Sequence, residues 1–316
     1  MRFIMLGTGP FAAPTLRALA PTRHEIAIVV TRPPTGRTAT TSPLQRAGEQ
    51  LGLEVWSPPT VNSPESQARL ASFAADLLVV CDYGEILRPD TLAIARLGGI
   101  NLHGSLLPKF RGAAPVQTAI LRGETETGNS VIHMTPGLDA GPLLGQQRTP
   151  IDPDEDAARL EERLAAMGAG LVLQVIDSLE TGTAKPIAQD ASQASKAPRL
   201  KKEQGAIDWS RPAQEIKNQV RALRPWPRAY TFWHRKDAAP MRLNIDRVAI
   251  IPPDESAAAY GSPPGSVLES SPRLLIATAE AALEIQELQP TGKRSMPGAD
   301  FLRGNRVNIG DRFGPE

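Results

Sequence analysis

Along the first half of the chain, short solid apolar runs alternate with stretches whose apolar residues recur at helical spacing. "RFIMLG" (2–7) and "EIAIVV" (25–30) are solid runs rich in β-branched residues, and the helical pattern "FAAPTLRALA" (11–20) lies between them. "LEVWSP", "ADLLVV" and "GGINLH" (98–103) repeat the strand signature. "PLQRAGEQLG", "PESQARLASFA" and "DTLAIARL" (90–97) separate them as helices. A strand that is apolar throughout, rather than at every second residue, is covered on both faces. The pattern therefore predicts a Rossmann-like α/β unit, a mostly parallel sheet with helices on both faces. "GNSVIHMTP" and "PLLGQQRTPI" read as a closing hairpin or edge strands, and a long helix with an acidic start follows over 154–182.

The pattern changes after residue 182. Residues 183–205 are Ala, Ser, Lys and Gln with little apolar periodicity, and read as a linker. One helix, "PAQEIKNQVRAL", comes next. Short strands then follow ("YTFW", "MRLNIDRVAII", "GSVLES", "RLLIATA", "ALEIQELQP") with Pro and Gly in their turns. Such spacing predicts a small, OB-like β-barrel. Three parts result: 1–182, 183–205 and 206–316.

Composition narrows the chemistry. A single cysteine, Cys81, rules out an intrachain disulfide or a cysteine-cluster zinc site, and fits a cytoplasmic protein. "MRFIMLG" is already a first strand and too short for a signal peptide, and no apolar run has the length of a membrane span. Aromatics at 4% are too few for broad base-stacking platforms. Net charge is +1, but residues 195–236 carry eleven Lys or Arg against three acids. That band is suited to phosphates or, equally, to a solvated helix face.

"MLGTGPFAAP" has the spacing Gly7-x-Gly9-x-x-Ala12 of a dinucleotide-binding turn. Its usual partner, an acid ending the second strand, is replaced by Val30-Thr31-Arg32, and Pro10 removes one N–H from the cradle. NAD is therefore not expected, and the motif reads as a tight strand-to-helix turn.

Chemistry concentrates in "GGINLHGSLLPKFRGAAP" (98–115). Asn101 and His103 stand two apart at a strand end, so their side chains share one face, where parallel sheets place their ligand sites. An amide donor beside an imidazole can stabilise charge developing on a carbonyl oxygen. On spacing alone, a packed strand-end histidine is an equal reading. Asp139, in "TPGLDAGPLL", is either an Asx-turn or a carboxylate that orients His103. Of the other histidines, His133 reads as packed or solvent-facing, and His24 and His234 as surface residues. Cys81 reads as a buried small side chain, and Asp82 adds a carboxylate near a strand end.

"NLHGSLLPKFRGAAPVQTAI" with "GLDAGPLL" closely resembles the folate-dependent formyltransferases. "ADLLVVCDYGEIL", "GAIDWS", "RALRPWPRAY" and "LQPTGKRSM" extend the resemblance to the methionyl-tRNA formyltransferase family over nearly the whole chain. The resemblance implies transfer of a formyl group from 10-formyltetrahydrofolate to the α-amine of initiator methionyl-tRNA, leaving tetrahydrofolate. Asn101 and His103 would hold the oxyanion, and Asp139 would orient His103 and help remove the amine's proton. Ser105, Leu106, Leu107 and Pro108 would contact folate, with no metal and no NAD. The second domain would hold the tRNA backbone, with Arg32, Arg37, Lys201, Lys202, Arg221, Arg224 and Arg228 as phosphate contacts on a monomer. Two features depart from the family. The loop "RPPTGRTATTSP" is shorter and less basic, and Asp82 stands where small apolar residues are common. A related enzyme acting on an amino-sugar nucleotide or another small amine is the alternative.

Overall fold

The computed structural model describes residues 1–34, 41–235, 238–252 and 261–316. Two compact units result. One holds residues 1–116, 125–151 and 159–199, and the other 117–124, 152–158 and 200–316.

Up to residue 199 the elements are β1 (Arg2–Gly7), α1 (Ala12–Leu19), β2 (Glu25–Val30), α2 (Pro43–Gln50), β3 (Val55–Trp56), α3 (Pro64–Ser72) and β4 (Leu77–Cys81). They continue as α4 (Pro89–Leu92), β5 (Gly99–His103), β6 (Arg111–Gly112), α5 (Pro115–Leu121), β7 (Glu126–His133), β8 (Leu143–Pro150), α6 (Ala157–Glu180) and β9 (Lys196–Ala197). Seven strands form one sheet in the order β3-β2-β1-β4-β5-β7-β8. The first five strands in that order are parallel, and β7 and β8 close the sheet antiparallel. The solid apolar runs are buried as expected: Phe3, Ile4, Met5 and Leu6 of β1 and Leu77, Leu78 and Val79 of β4 are fully covered. Helices α2 and α3 start where Ser42 and Ser63 accept the N–H of Gln45 and Ser66, each with a proline at the first helical position.

Two sequence expectations change in this unit. The helix expected over 90–97 stops at Leu92. The chain must reverse into β5, so Leu97 N–H goes to the Asp76 carbonyl and Gly98 takes a positive φ of 67°. Within the stretch read as a linker, β9 pairs with β6, Ile187 bridges to Leu143, and Ala197 is fully buried. Polar side chains and backbone groups anchor this segment, which is why it shows no apolar period.

From residue 200 the elements are α7 (Ala213–Ala222), β10 (Ala229–Arg235), β11 (Ala238–Ile251), β12 (Val267–Glu269), β13 (Leu275–Ala277), β14 (Ala282–Pro290), β15 (Met296–Pro297), α8 (Gly298–Gly304) and β16 (Arg312–Gly314). The antiparallel order β12-β13-β14-β11-β10-β16 is bridged from Ser266 to Arg312, which gives a nearly closed barrel. Its core contains Trp209, Ile216, Val220, Trp233, Leu283, Phe301 and Phe313. Two edge-on aromatic pairs, Trp209–Phe313 and Trp233–Phe301, place four of the aromatics inside the barrel, while Trp226 is half exposed.

One ion pair braces the barrel wall. Arg228 donates to both oxygens of Asp246, at 2.5 and 2.7 Å, and also to the Gln289 amide oxygen. Ser295 Oγ donates to Asp246 Oδ2 at 2.6 Å, and only 5% of the Asp246 side chain is exposed. Asp246→Ala would leave the guanidinium without its partner, at a cost of about 2–3 kcal/mol because Arg228 itself keeps some water. Urea unfolding followed by tryptophan fluorescence should show this loss, and an unchanged midpoint would contradict the role of the pair.

Candidate active site

Strand β5 lies between β4 and β7, with Asn101 opposite Val80 on one side and Ile132 on the other. The carboxyl end of β5 projects Asn101 and His103 from the same face, and His103 is 5% exposed. The chain leaves the strand through a loop fixed by polar contacts. Ser105 Oγ donates to the Lys109 carbonyl at 2.7 Å, and Ser130 Oγ donates to the Ser105 carbonyl at 2.7 Å. Leu107 N–H donates to Ser130 Oγ, and Gln146 Nε2 donates to the Leu107 carbonyl. Phe110 adopts φ +62° and its N–H donates to Ser195 Oγ at 2.9 Å. The Phe110 carbonyl lies 2.9 Å from His103 Nε2. A carbonyl only accepts, so this nitrogen carries the proton and Nδ1 is the other ring edge.

Asp139 meets that edge. Its Oδ2 is 3.7 Å from His103 Nδ1 and accepts the Gly112 N–H at 2.9 Å, while Oδ1 lies 3.4 Å from Asn101 Nδ2. The carboxylate therefore bonds across the site rather than forming an Asx-turn. The backbone behind it is clamped. Gln189 Nε2 donates to the carbonyls of Asp139 and Gly141 at 2.8 and 2.7 Å, and Arg111 donates twice to Gln189 Oε1. A Cβ on Gly112 would lie 2.5 Å from the Ala197 carbonyl, so β6 approaches β9 closely only as glycine.

The contacts from Asn101 and His103 to Asp139 are longer than settled hydrogen bonds. Such spacing leaves both side chains able to turn toward a bound carbonyl. The arrangement has one amide donor for developing negative charge, an imidazole nitrogen that becomes a second donor when protonated, and a carboxylate that can take a proton. Among the described residues, the one His/acid group with metal-like spacing is His24, Asp177 and Glu180. The N-terminal ammonium lies 3.1 Å from His24 Nδ1, and both acids pair with Arg23, so fixed cations already balance that group.

Residues 1–176 match the Formyl transferase family, and residues 199–306 match the Formyl transferase C-terminal domain. The methionyl-tRNA formyltransferase of Rhodopirellula baltica is 44% identical, over 99% of this chain and 96% of its own length. That of Solibacter usitatus is 42% identical over 99% of both. The chain belongs to the methionyl-tRNA formyltransferase family. Its fold is also that of an N-formyltransferase from Helicobacter canadensis, solved in complex with folinic acid and dTDP-3-aminofucose. That structure has a TM-score of 0.65 at 16% identity and covers 91% of this chain and 98% of its own.

Other residues singled out in the sequence of this formyltransferase have varied placements. Arg32 pairs with Glu85 at 2.5 Å, and Arg37 lies outside the described residues. Lys201 and Lys202 are exposed. Arg224 stands 3.9 Å from Asp156. Arg221 donates to the carbonyls of Asp152 and Glu155, and Arg228 is committed to Asp246. His133 is packed, with Nε2 3.0 Å from the Leu97 carbonyl. His24 is buried against Phe3 rather than on the surface. Burial pushes the Cys81 thiol up to about 12, too high for a nucleophile at neutral pH. The clamp residues Gln189, Ser130 and Gln146 carry no sequence signal of their own. Arg111 and Gly112 do, through "FRG" in the quoted loop.

Burial raises Glu161 on α6 to about 7, with the nearby Asp82 charge adding to the shift. In the unfolded chain this group ionises near its ordinary value, about 4.3. The folded protein therefore binds more protons between those two values, and stability falls as pH rises through that window. Glu161→Gln should be more stable than the parent at pH 8, by on the order of 2 kcal/mol. The difference should vanish toward pH 4, and melting curves across pH 4–8 check it. A gap that does not depend on pH would contradict the assignment.

Proposed function

We propose that Asn101, His103 and Asp139 carry the transfer of a formyl group from 10-formyltetrahydrofolate to the α-amino group of initiator methionyl-tRNA. The observation behind this reading is the convergence of an amide, an imidazole edge and a clamped carboxylate at the end of β5. As the amine nitrogen bonds to the formyl carbon, charge builds on the formyl oxygen. Asn101 Nδ2 is the donor for it, and His103 Nδ1, whose ring proton sits on Nε2, becomes a second donor once it takes up a proton. Asp139 takes the proton shed by the amine. The bond from the formyl carbon to the donor nitrogen then breaks, and that nitrogen regains a proton by way of His103 and Asp139. Holding the carboxylate on Gly112 keeps it beside the imidazole throughout.

The folate site is assigned to Ser105, Leu106, Leu107 and Pro108, whose backbone is fixed by Ser130 and Gln146. Ile86 and Leu138 suit a flat, partly apolar ring, because both are large apolar side chains left exposed on polar loops. Folinic acid in the Helicobacter canadensis enzyme supports a folate donor. Residues 1–182 are assigned to catalysis together with 183–199, whose Gln189 and Ser195 hold the site, and residues 200–316 to the tRNA body, in a cytoplasmic monomer. Lys201 and Lys202, with Arg224, Arg32 and Arg37, are the phosphate contacts; Arg221 and Arg228 position their own loops first.

The direct experiment is formyl transfer from 10-formyltetrahydrofolate to charged initiator tRNA, with elongator methionyl-tRNA alongside. Formylation of the initiator is expected, and transfer to neither tRNA would overturn the reading. Asn101→Ala should lower kcat by roughly 10²–10³-fold, the usual effect of losing one such donor, with an unchanged melting temperature. Lys201→Ala and Lys202→Ala should each reduce the salt slope of tRNA affinity by about one, without changing transfer to a saturating substrate.

A further inference from the structure

The loop that leaves the carboxyl end of β4 shows an apolar side chain to solvent, and a residue outside the loop holds it there. Strand β4 runs parallel beside β5, so this loop leaves the sheet on the same edge as Asn101 and His103. Ile86 is 65% exposed in it, while its neighbour Leu87 is buried. An exposed side chain on a loop serves a ligand best when its backbone is already fixed, because ordering it on binding costs affinity. The fixing comes from Asn62, between β3 and α3.

Every hydrogen-bonding function of the Asn62 amide is used. Nδ2 donates to Glu85 Oε1 at 3.0 Å and to the Ile86 carbonyl at 2.9 Å. Oδ1 accepts the Arg88 N–H at 2.9 Å and the Thr91 hydroxyl at 2.8 Å. An amide has two N–H hydrogens and two oxygen lone pairs, so this set saturates it. Its orientation is fixed as well, since the Glu85 carboxylate and the Ile86 carbonyl only accept and the Arg88 N–H only donates. Both neighbours are held in turn. Gln67 Nε2 donates to Thr91 Oγ1 at 3.0 Å, and Glu85 accepts from Arg32 and from Thr60 Oγ1. One side chain thus clasps the carbonyl of residue 86 and the N–H of residue 88, on either side of the bend that turns Leu87 in and Ile86 out.

We propose that Asn62 is a positioning residue of the formyl-donor site, acting through Ile86. By clamping the bend it keeps Ile86 as a preformed apolar wall for the flat ring of the donor. This rests on the assignment of a folate site beside Ile86, and adds the group that keeps that wall in place. Asn62 is not among the reacting groups, so its loss falls on donor affinity and leaves the chemical step to Asn101, His103 and Asp139.

The test uses the full chain, with folinic acid as the probe and titration calorimetry to read its Kd. Ile86→Ala and Asn62→Ala should each weaken binding roughly tenfold, the scale of removing an aliphatic contact from a ligand's face. The double variant should bind about as weakly as the weaker single variant, because Asn62 acts through the side chain already removed. In transfer assays the Asn62 variant should show a raised KM for the donor at the parent's kcat, a split that lower stability alone does not produce. Asn62→Asp keeps the bonds from Arg88 and Thr91 but frees the Ile86 carbonyl, and should raise Kd in the same way in a side chain of equal size. Melting curves establish that each variant is folded at the assay temperature. An unchanged Kd in both Asn62 variants would overturn the proposal, as would losses that multiply in the double variant or an Ile86→Ala chain that binds like the parent. A parent that binds no folinic acid would overturn the folate site and this proposal together. The titration needs no tRNA, so failure of transfer to tRNA is seen separately.

Discussion

The hydrogen bond from the Gly112 amide to the Asp139 carboxylate sets the geometry on which the site depends. It fixes Oδ2 at 2.9 Å from a rigid backbone group, and so fixes the distance from that oxygen to His103 Nδ1. The bond exists because β6 and β9 lie close enough that only glycine fits at 112, and because Gln189 and Arg111 hold the Asp139 turn from behind. A carboxylate held this way needs little reorganisation when charge moves during acyl transfer. The left-handed backbone at Asp139 is the local strain that the clamp offsets.

His103 is set by a complementary constraint. The Phe110 carbonyl takes one ring nitrogen, which fixes the tautomer and turns the other edge toward Asp139. That carbonyl is aimed by a second left-handed residue, and Ser195 anchors the Phe110 N–H. A buried strand end, a loop and a polar segment some ninety residues further on thus converge on one imidazole. The relation explains why the sequence packs so many glycines, prolines and basic residues into residues 98–115: each turn must be tight, and each freed backbone group needs a partner.

The sheet was legible in the sequence because burial on both faces leaves an unbroken apolar run, as in β1 and β4. Asn101 and His103 stand out for a related reason, as polar residues at the end of such a run, and the structure brings both to Asp139. Gln189 and Ser195 were not legible. They sit in a stretch of Ala, Ser, Lys and Gln whose packing depends on hydrogen bonds rather than apolar period. Charge counting does not reveal that Arg221 and Arg228 have partners within the chain, because those partners are distant in sequence. Asp246 is 18 residues from Arg228, and the carbonyl of Glu155 is 66 residues from Arg221. His24 was misjudged for the same reason, since its cover comes from Phe3.

In the proposed mechanism Asn101, His103 and Asp139 act as one unit on one substrate atom, and a double-mutant cycle reads this directly. Single-turnover formyl transfer would be measured for the parent, Asn101→Ala, Asp139→Ala and the double variant, all at saturating donor and tRNA. If the residues form one constellation, the double variant should be about as slow as the slower single variant, because either loss already disables the shared site. Rate losses that simply multiply would mean that the two side chains work independently, and would contradict the account.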